Sequence, residues 1–281
     1  MPRAPTARLG ETLAAAGIVA HPLAFRLAAR ATESEGPLHA AEFAFPARAS
    51  LRQVLTILRT ARPVQHRLTL PEGLTAAQIA TLFAHADALS GDEVVPAEGA
   101  VLPETYSFER DTPRAAVLAR AEAAMGQTLR QIWEERDPAL PLASPRELLI
   151  LASIIERETS RPEERAHMAG VFLNRLRQGM KLQSDPTVIY AASGGAGTLD
   201  RPLSRADLDR DNPYNTYRVA GLPPGPICAP GAATLRATAH PTPTDDLYFV
   251  ADGHGGHAFA RTLDEHNRNV ARWRAGTSPR P

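Results

Sequence analysis

This chain of 281 residues predicts an α+β protein, with a small region of β-turn-α units at the front and a larger mixed α/β domain behind it. Three observations carry that expectation. Two stretches near the front echo each other, and long amphipathic segments with clear start and stop signals fill the middle. Beyond Gln183 the chain turns polar and proline-rich before a β-like LYFVAD and a closing helical stretch, TLDEHNRNVARWR. Hydrophobic residues make up 43% of the sequence, enough to bury the core of one large domain and an appendage.

The echo pairs FAFPARASLRQVLTIL from Phe43 with LTLPEGLTAAQIATLF from Leu68, which sets Pro46/Pro71, Ser50/Thr75, Gln53/Gln78 and Val54/Ile79 in register. Each copy reads as a short alternating strand, a proline turn, a Ser or Thr N-cap and an amphipathic helix. The opening PRAPTARLGETLAAAG resembles the turn and helix of a further copy without its strand, so a natural start upstream is expected. A long helix follows over about residues 113–136, capped by Asp111 or Thr112, with Pro113 in its first turn. Its apolar stripe is Val117, Leu118, Ala121, Met125, Ile132 and Trp133. Ser144-Pro145-Arg146-Glu147 forms a capping box that starts the next helix, expected to run to about Ser160. A third helix follows Pro162, buries Met168, Val171, Phe172 and Leu176, and stops at Gly179. The segments after it read as long ordered loops on a helical scaffold, where sites are usually built.

Formal net charge is +0 and the isoelectric point about 7.2, so no basic field argues for nucleic acid and no acidity for disorder. The single cysteine, Cys228, excludes an internal disulfide and a cysteine-cluster metal site, and reads as a space-filler. No apolar run approaches the roughly 20 residues that cross a bilayer. His254, His257 and His266 lie close in sequence, but no acid or cysteine completes a ligand set, so no metal and no cofactor is expected.

In LASIIERETS, residues 151–160, two acids follow an apolar run. On a helix Glu156 and Glu158 stand about 200° apart and cannot serve one site. Glu158 is within reach of Arg161 and reads as a helix-end carboxylate paired with that arginine. Glu156 shares its face with Ala152, Ser153 and Leu149, beside Ile155, so small side chains leave a concavity around its carboxyl. Apolar walls strip hydration from such a group and favour its acid form, as a general acid requires. The other reading of Glu156 is a buried acid bonded to backbone or to an arginine.

Further candidates lie downstream. Asp185, in QSDPT, suits a turn that caps a helix beginning near Val188, and equally a contact to a sugar or an oxocarbenium ion. Gln183 and Ser184 offer neutral hydrogen bonds. Asn212, Tyr214, Asn215, Thr216 and Tyr217 combine flat faces with amides and hydroxyls, as a sugar chain needs, and also suit a proline-braced loop with tyrosine anchors.

LASIIERET, AGVFLNRLRQGMKLQSDPTVIY, DNPYNTYRVAGLPPGPI, YFVADGHGGHAF and EHNRNV, with EGAVLPETYSF before them, resemble in order the motifs of the endolytic murein transglycosylases, the YceG-like family. The resemblance covers nearly the whole chain. It implies a LysM-like accessory region over 1–105 and a catalytic domain over 106–281. It also implies cleavage of peptidoglycan glycan strands between N-acetylmuramic acid and N-acetylglucosamine, leaving 1,6-anhydromuramoyl ends. By this resemblance Glu156 is the catalytic acid and base, and Gln183, Ser184, Asp185, Thr187, Asn212, Tyr214, Asn215, Thr216 and Tyr217 contact substrate. Family members are held at the periplasmic face of the inner membrane by an N-terminal helix not present here, beside penicillin-binding synthases. Two rivals keep the same substrate: a muramidase-type hydrolase that depends on a second acid such as Asp185, and a non-catalytic glycan-binding module. The chain departs from the family pattern at Ala229, where an asparagine is common, and at Ala41, where a glycine is common.

Overall fold

A computed structural model describes residues 6–277. Pro2–Pro5, the first residues of the expected partial copy, lie outside them. The fold is α+β, as predicted. In chain order the elements are α1 (Thr6–Ala15), α2 (Pro22–Ala31), α3 (Leu51–Thr60), β1 (His66–Thr69), α4 (Ala76–Ala84), β2 (Leu89–Ser90), β3 (Thr105–Phe108), β4 (Thr112–Pro113) and α5 (Arg114–Glu134). Then come α6 (Pro145–Glu158), α7 (Arg165–Arg177), α8 (Asp185–Ala192), α9 (Arg205–Asp209), α10 (Ala232–Ala239), β5 (Tyr248–Ala251), β6 (His257–Ala260) and α11 (Leu263–Thr277). Among the described residues strands pair only in twos: β1 with β3, β2 with β4 in parallel, and β5 with β6 antiparallel.

The chain forms two compact units. The smaller contains the chain up to Arg67 with residues 88–90 and 107–113. Its core is Phe25, Val54, Leu55 and Leu58, the inward stripes of α2 and α3. α3 begins as expected: Ser50 Oγ accepts from the Gln53 N–H while the Gln53 side chain accepts from the Ser50 N–H. The strand expected at Phe43 does not form. One backbone bond, Val64 N–H to Glu42 O, joins this stretch to the chain ahead of β1, and a single bond makes no ladder. Glu42 instead accepts from His66 at 2.6 Å and Arg110 at 2.9 Å.

The larger unit holds the second echo and everything from Arg114 onward. Thr75 and Gln78 close the same reciprocal cap on α4. Around α6 the core closes with Met125 and Ile132 from α5, Met168 and Phe172 from α7, and Leu235 from α10. Leu148, Leu151, Ile154 and Ile155 of α6 are fully buried. Boundaries differ from expectation at both ends of α5, which stops at Glu134, and at the end of α6. Pro113 belongs to β4, so α5 starts one residue later. α6 ends at Glu158, because Thr159 turns extended (φ −134, ψ 135). Glu158 therefore stands at the helix's last position, aimed at whatever the following loops bring there.

Close packing of α7 gives a prediction. A Cβ at Gly170 would lie 2.6 Å from the Thr242 carbonyl oxygen and 2.9 Å from Thr244 Cγ2. Gly170→Ala gains helix propensity but forces backbone apart, for a net loss of about 2 kcal/mol. A thermal melt should fall by roughly 4–8 °C.

Candidate active site

Glu156 and Glu158 leave α6 on different sides, as helix geometry requires, and each meets different surroundings. The Glu156 side chain is only 4% exposed. Its Oε1 accepts from Arg165 Nη2 at 3.1 Å, and its Oε2 from the Gly231 N–H at 2.9 Å. Gly231 is the N-cap of α10, so this carboxylate sits at a helix N-terminus, where the dipole favours an anion. Arg165 also lies 3.5 Å from Glu72. The concavity expected beside Ala152 and Ser153 is filled. Ser153 Oγ accepts from the Ile227 N–H at 3.0 Å, and the Cys228 thiol, fully buried, reaches the Ser153 carbonyl. Ala229 works through its backbone: it donates to Leu74 O and accepts from the Gly73 N–H. The arrangement around Glu156 is thus the second of the two readings, an acid bonded to backbone and to an arginine.

Glu158 does not pair with Arg161. That guanidinium donates instead to the carbonyls of His254 at 2.6 Å and Gly255 at 2.9 Å, tying the β5–β6 loop to the α6–α7 turn. Glu158 Oε1 accepts from Ser184 Oγ at 2.5 Å. Ser184 is the N-cap of α8, yet it makes no side-chain cap, because its hydroxyl is turned to Glu158. Asp185 is the first residue of α8 and not its cap; its Oδ1 accepts from the Tyr217 hydroxyl at 2.6 Å. Burial pushes the Glu158 carboxyl up to about 7 against the pull of the Ser184 bond, and the neighbouring Asp185 carboxylate adds to the rise. Burial and the Asp185 bond together raise the Tyr217 phenol as well.

The loop residues expected to contact substrate divide into two groups. Ser184, Asp185 and Tyr217 converge near Glu158, while the Gln183 side chain accepts from Arg175 Nη1 at 3.4 Å. Gln183 holds a left-handed backbone (φ 52), uncommon for a residue with a side chain, pinned by its N–H to Thr216 O. Thr187 and Thr216 are fully buried supports: their hydroxyls bond at 2.8 Å, and Thr216 Oγ1 accepts from the Ser184 N–H. Asn212, Tyr214 and Asn215 are not brought there. Asn212 accepts from the Tyr214 N–H, and Asn215 donates to the carbonyls of Asp207, Leu208 and Arg210, bracing the end of α9. Tyr214 packs against Tyr190, ring centres 4.9 Å apart.

Sequence reasoning missed Arg175, Tyr248 and the surroundings of Glu158. Arg175 is 6% exposed, with its guanidinium 5.2 Å from the Tyr248 ring, on which His266 stacks. Period alone placed Arg175 on a helix but gave no sign that its face turns toward the loop after α7. Of the histidines considered for a metal, His257 bonds Glu164 at 2.7 Å and His266 lies on Tyr248. Among the described residues no group of three or more potential ligands is arranged to hold an ion.

A model of the YceG-like family matches residues 2–272. The chain belongs to the YceG-like family. Its YceG-like fold also aligns with the crystal structure of a putative YceG-like protein from Listeria monocytogenes, at 26% identity and TM-score 0.61 over 95% of this chain and 96% of that one. An endolytic murein transglycosylase of Bacillus subtilis is 40% identical over 62% of this chain and 47% of its own length. One from Streptococcus pneumoniae (serotype 2, strain D39) is 30% identical over 94% of this chain and 55% of its own. The chain thus spans about half the length of the curated relatives it matches. No helix among the described residues is long and apolar enough to cross a membrane.

Proposed function

We propose that this chain cuts peptidoglycan glycan strands as an endolytic lytic transglycosylase, the activity for which its relatives are named, with Glu158 as acid and base. The observation that carries the assignment is the Glu158 carboxyl accepting from Ser184 Oγ at 2.5 Å beside the bonded Asp185–Tyr217 pair, polar groups suited to a sugar, in surroundings whose burial pushes that carboxyl up to about 7. Protonated Glu158 donates to the glycosidic oxygen as the bond to C1 of N-acetylmuramic acid breaks. The resulting carboxylate takes the proton of the C6 hydroxyl as that oxygen attacks C1, which closes the 1,6-anhydro ring and restores the acid. Asp185 stands near the cationic transition state, while Gln183 and Ser184 serve hydroxyl and acetamido groups. Glu156 holds α6 to α10 and Arg165 and has no chemical step.

The wider setting belongs to the same proposal. A LysM-like region over 1–105 binds glycan and residues 106–281 carry the chemistry. The chain works in the cell envelope, at the periplasmic face of the inner membrane, on strands made by penicillin-binding synthases.

Mass spectrometry of products from purified glycan strands tests this with the parent chain, Glu158→Gln and Glu156→Gln side by side. Anhydromuramoyl ends are expected from the parent and from folded Glu156→Gln, and none from Glu158→Gln. Ends lost in folded Glu156→Gln but kept in Glu158→Gln would return the role to Glu156. Hydrated ends would favour a hydrolase in which Asp185, part of the same cluster, acts as second acid. Binding to sacculi without products would leave only a glycan-binding module.

The protonation state sets the pH dependence. Glu158 must begin as the acid, and its proton is lost through about pH 7. The kcat/KM of the free enzyme should therefore fall about tenfold per pH unit above that point. A flat profile to pH 9 would count against Glu158 as the donor.

A further inference from the structure

We infer that Arg175 is a positioning residue for this proton transfer: a buried cation kept off Glu158 by backbone carbonyls, which steadies the carboxylate that Glu158 becomes after donating. The inference rests on the reading of Glu158 as the acid.

Arg175 lies on α7 and is almost wholly buried, an expensive place for a charge without an anionic partner. Every hydrogen bond described for it goes to a neutral oxygen. Nε donates to Leu247 O at 2.6 Å, and Nη1 to Lys181 O at 3.2 Å, Leu182 O at 2.9 Å and Gln183 Oε1 at 3.4 Å. The segment that Arg175 grips at Leu182 and Gln183 delivers, one residue later, the Ser184 hydroxyl to Glu158. Cation and acid are thus mounted on the same short piece of chain, whose strained Gln183 backbone persists because both ends are tied. They also sense each other: each charge favours the ionised form of the other.

The spacing has a chemical reason. A guanidinium in direct contact would hold Glu158 as its anion and leave no proton to give near neutrality. Without any cation, a new carboxylate would form in a low-dielectric site beside Asp185, at high cost. A cation satisfied by carbonyls and held back allows both halves of the cycle. Arg175 exchanges no proton. The other titratable groups facing the pair are Asp185 on α8, Tyr217 in the loop, Tyr248 on β5 and His266 on α11. The His266 imidazole is pushed down by burial and then by Arg175, so it adds no second cation near neutral pH.

The test compares pH profiles of kcat/KM for the parent, Arg175→Gln and Arg175→Lys. Removing the charge should move the basic limb upward by about one unit, with a lower plateau, while Arg175→Lys keeps the limb even where it weakens the carbonyl ties. Limbs identical in all three, with melting temperature alone reduced, would make Arg175 only a brace. Should Arg175→Gln fail to fold, NMR of the intact parent decides. The Arg175 Nε–H resonance should titrate with the Glu158 carboxyl carbon and lie flat in Glu158→Gln; no shared midpoint overturns the inference. Activity surviving in Glu158→Gln would instead refute the assignment of the acid, whatever the NMR coupling shows.

Discussion

Glu158→Gln is expected to cut transglycosylase turnover by roughly 10²–10⁴-fold, the usual worth of a positioned general acid, and at the same time to stabilise the fold at alkaline pH. The second effect follows from linkage. A carboxyl raised from 4.5 to about 7 in the folded chain stays protonated while the unfolded chain ionises. Its contribution to stability is complete below the unfolded value and is lost as pH rises toward 7. Glutamine has no such loss, so the variant should exceed the parent by on the order of 2 kcal/mol above pH 8 and match it below pH 4. Parallel assays and thermal melts at pH 4 and pH 8.5 check both halves. An inactive variant that is no more stable at the higher pH would show that Glu158 ionises freely and is not the poised acid.

Arg165→Met should cost about 3–5 kcal/mol, because it leaves Glu156 with the Gly231 N–H as its remaining hydrogen-bond partner in a site where that acid is almost fully buried. A thermal melt should show a drop of roughly 10 °C. Adding Glu156→Leu should restore much of the loss, since an apolar pair has no charge left uncompensated. A single variant that melts like the parent would mean that the Glu156 carboxylate is supported by Gly231 alone.

Periodicity and the caps of α3 and α4 were legible because they are local, whereas at α6 Ser144 Oγ accepts from the Glu147 N–H but the Glu147 carboxylate turns to the Ala143 N–H, so the expected box stays open. Ser50 with Gln53 and Thr75 with Gln78 close their boxes where the echo placed them, and Met168, Val171 and Phe172 are buried as the stripe predicts. Strand formation was not legible at Phe43, since alternation says that a strand is possible and only a partner makes one. The cap of α8 was misread for a related reason. Asp185 has the chemistry of an N-cap, but the Tyr217 hydroxyl claims its carboxylate and Ser184 takes the position.

By itself the sequence determined the α+β class, the helices α4 to α7 and α11 of the larger unit but not α9 or α10, the family, and the segment from Gln183 to Tyr217 as a source of candidate site residues. It also determined that Glu156 and Glu158 part company, since two residues on a helix face opposite ways. Which of them meets that segment was decided by the tertiary structure alone. α10 brings the Gly231 N–H, and α7 brings Arg165, to the carboxylate of Glu156, while α8 brings Ser184 and Asp185 to Glu158. A carboxyl's role depends on the charges and donors around it, and those come from residues distant in the chain.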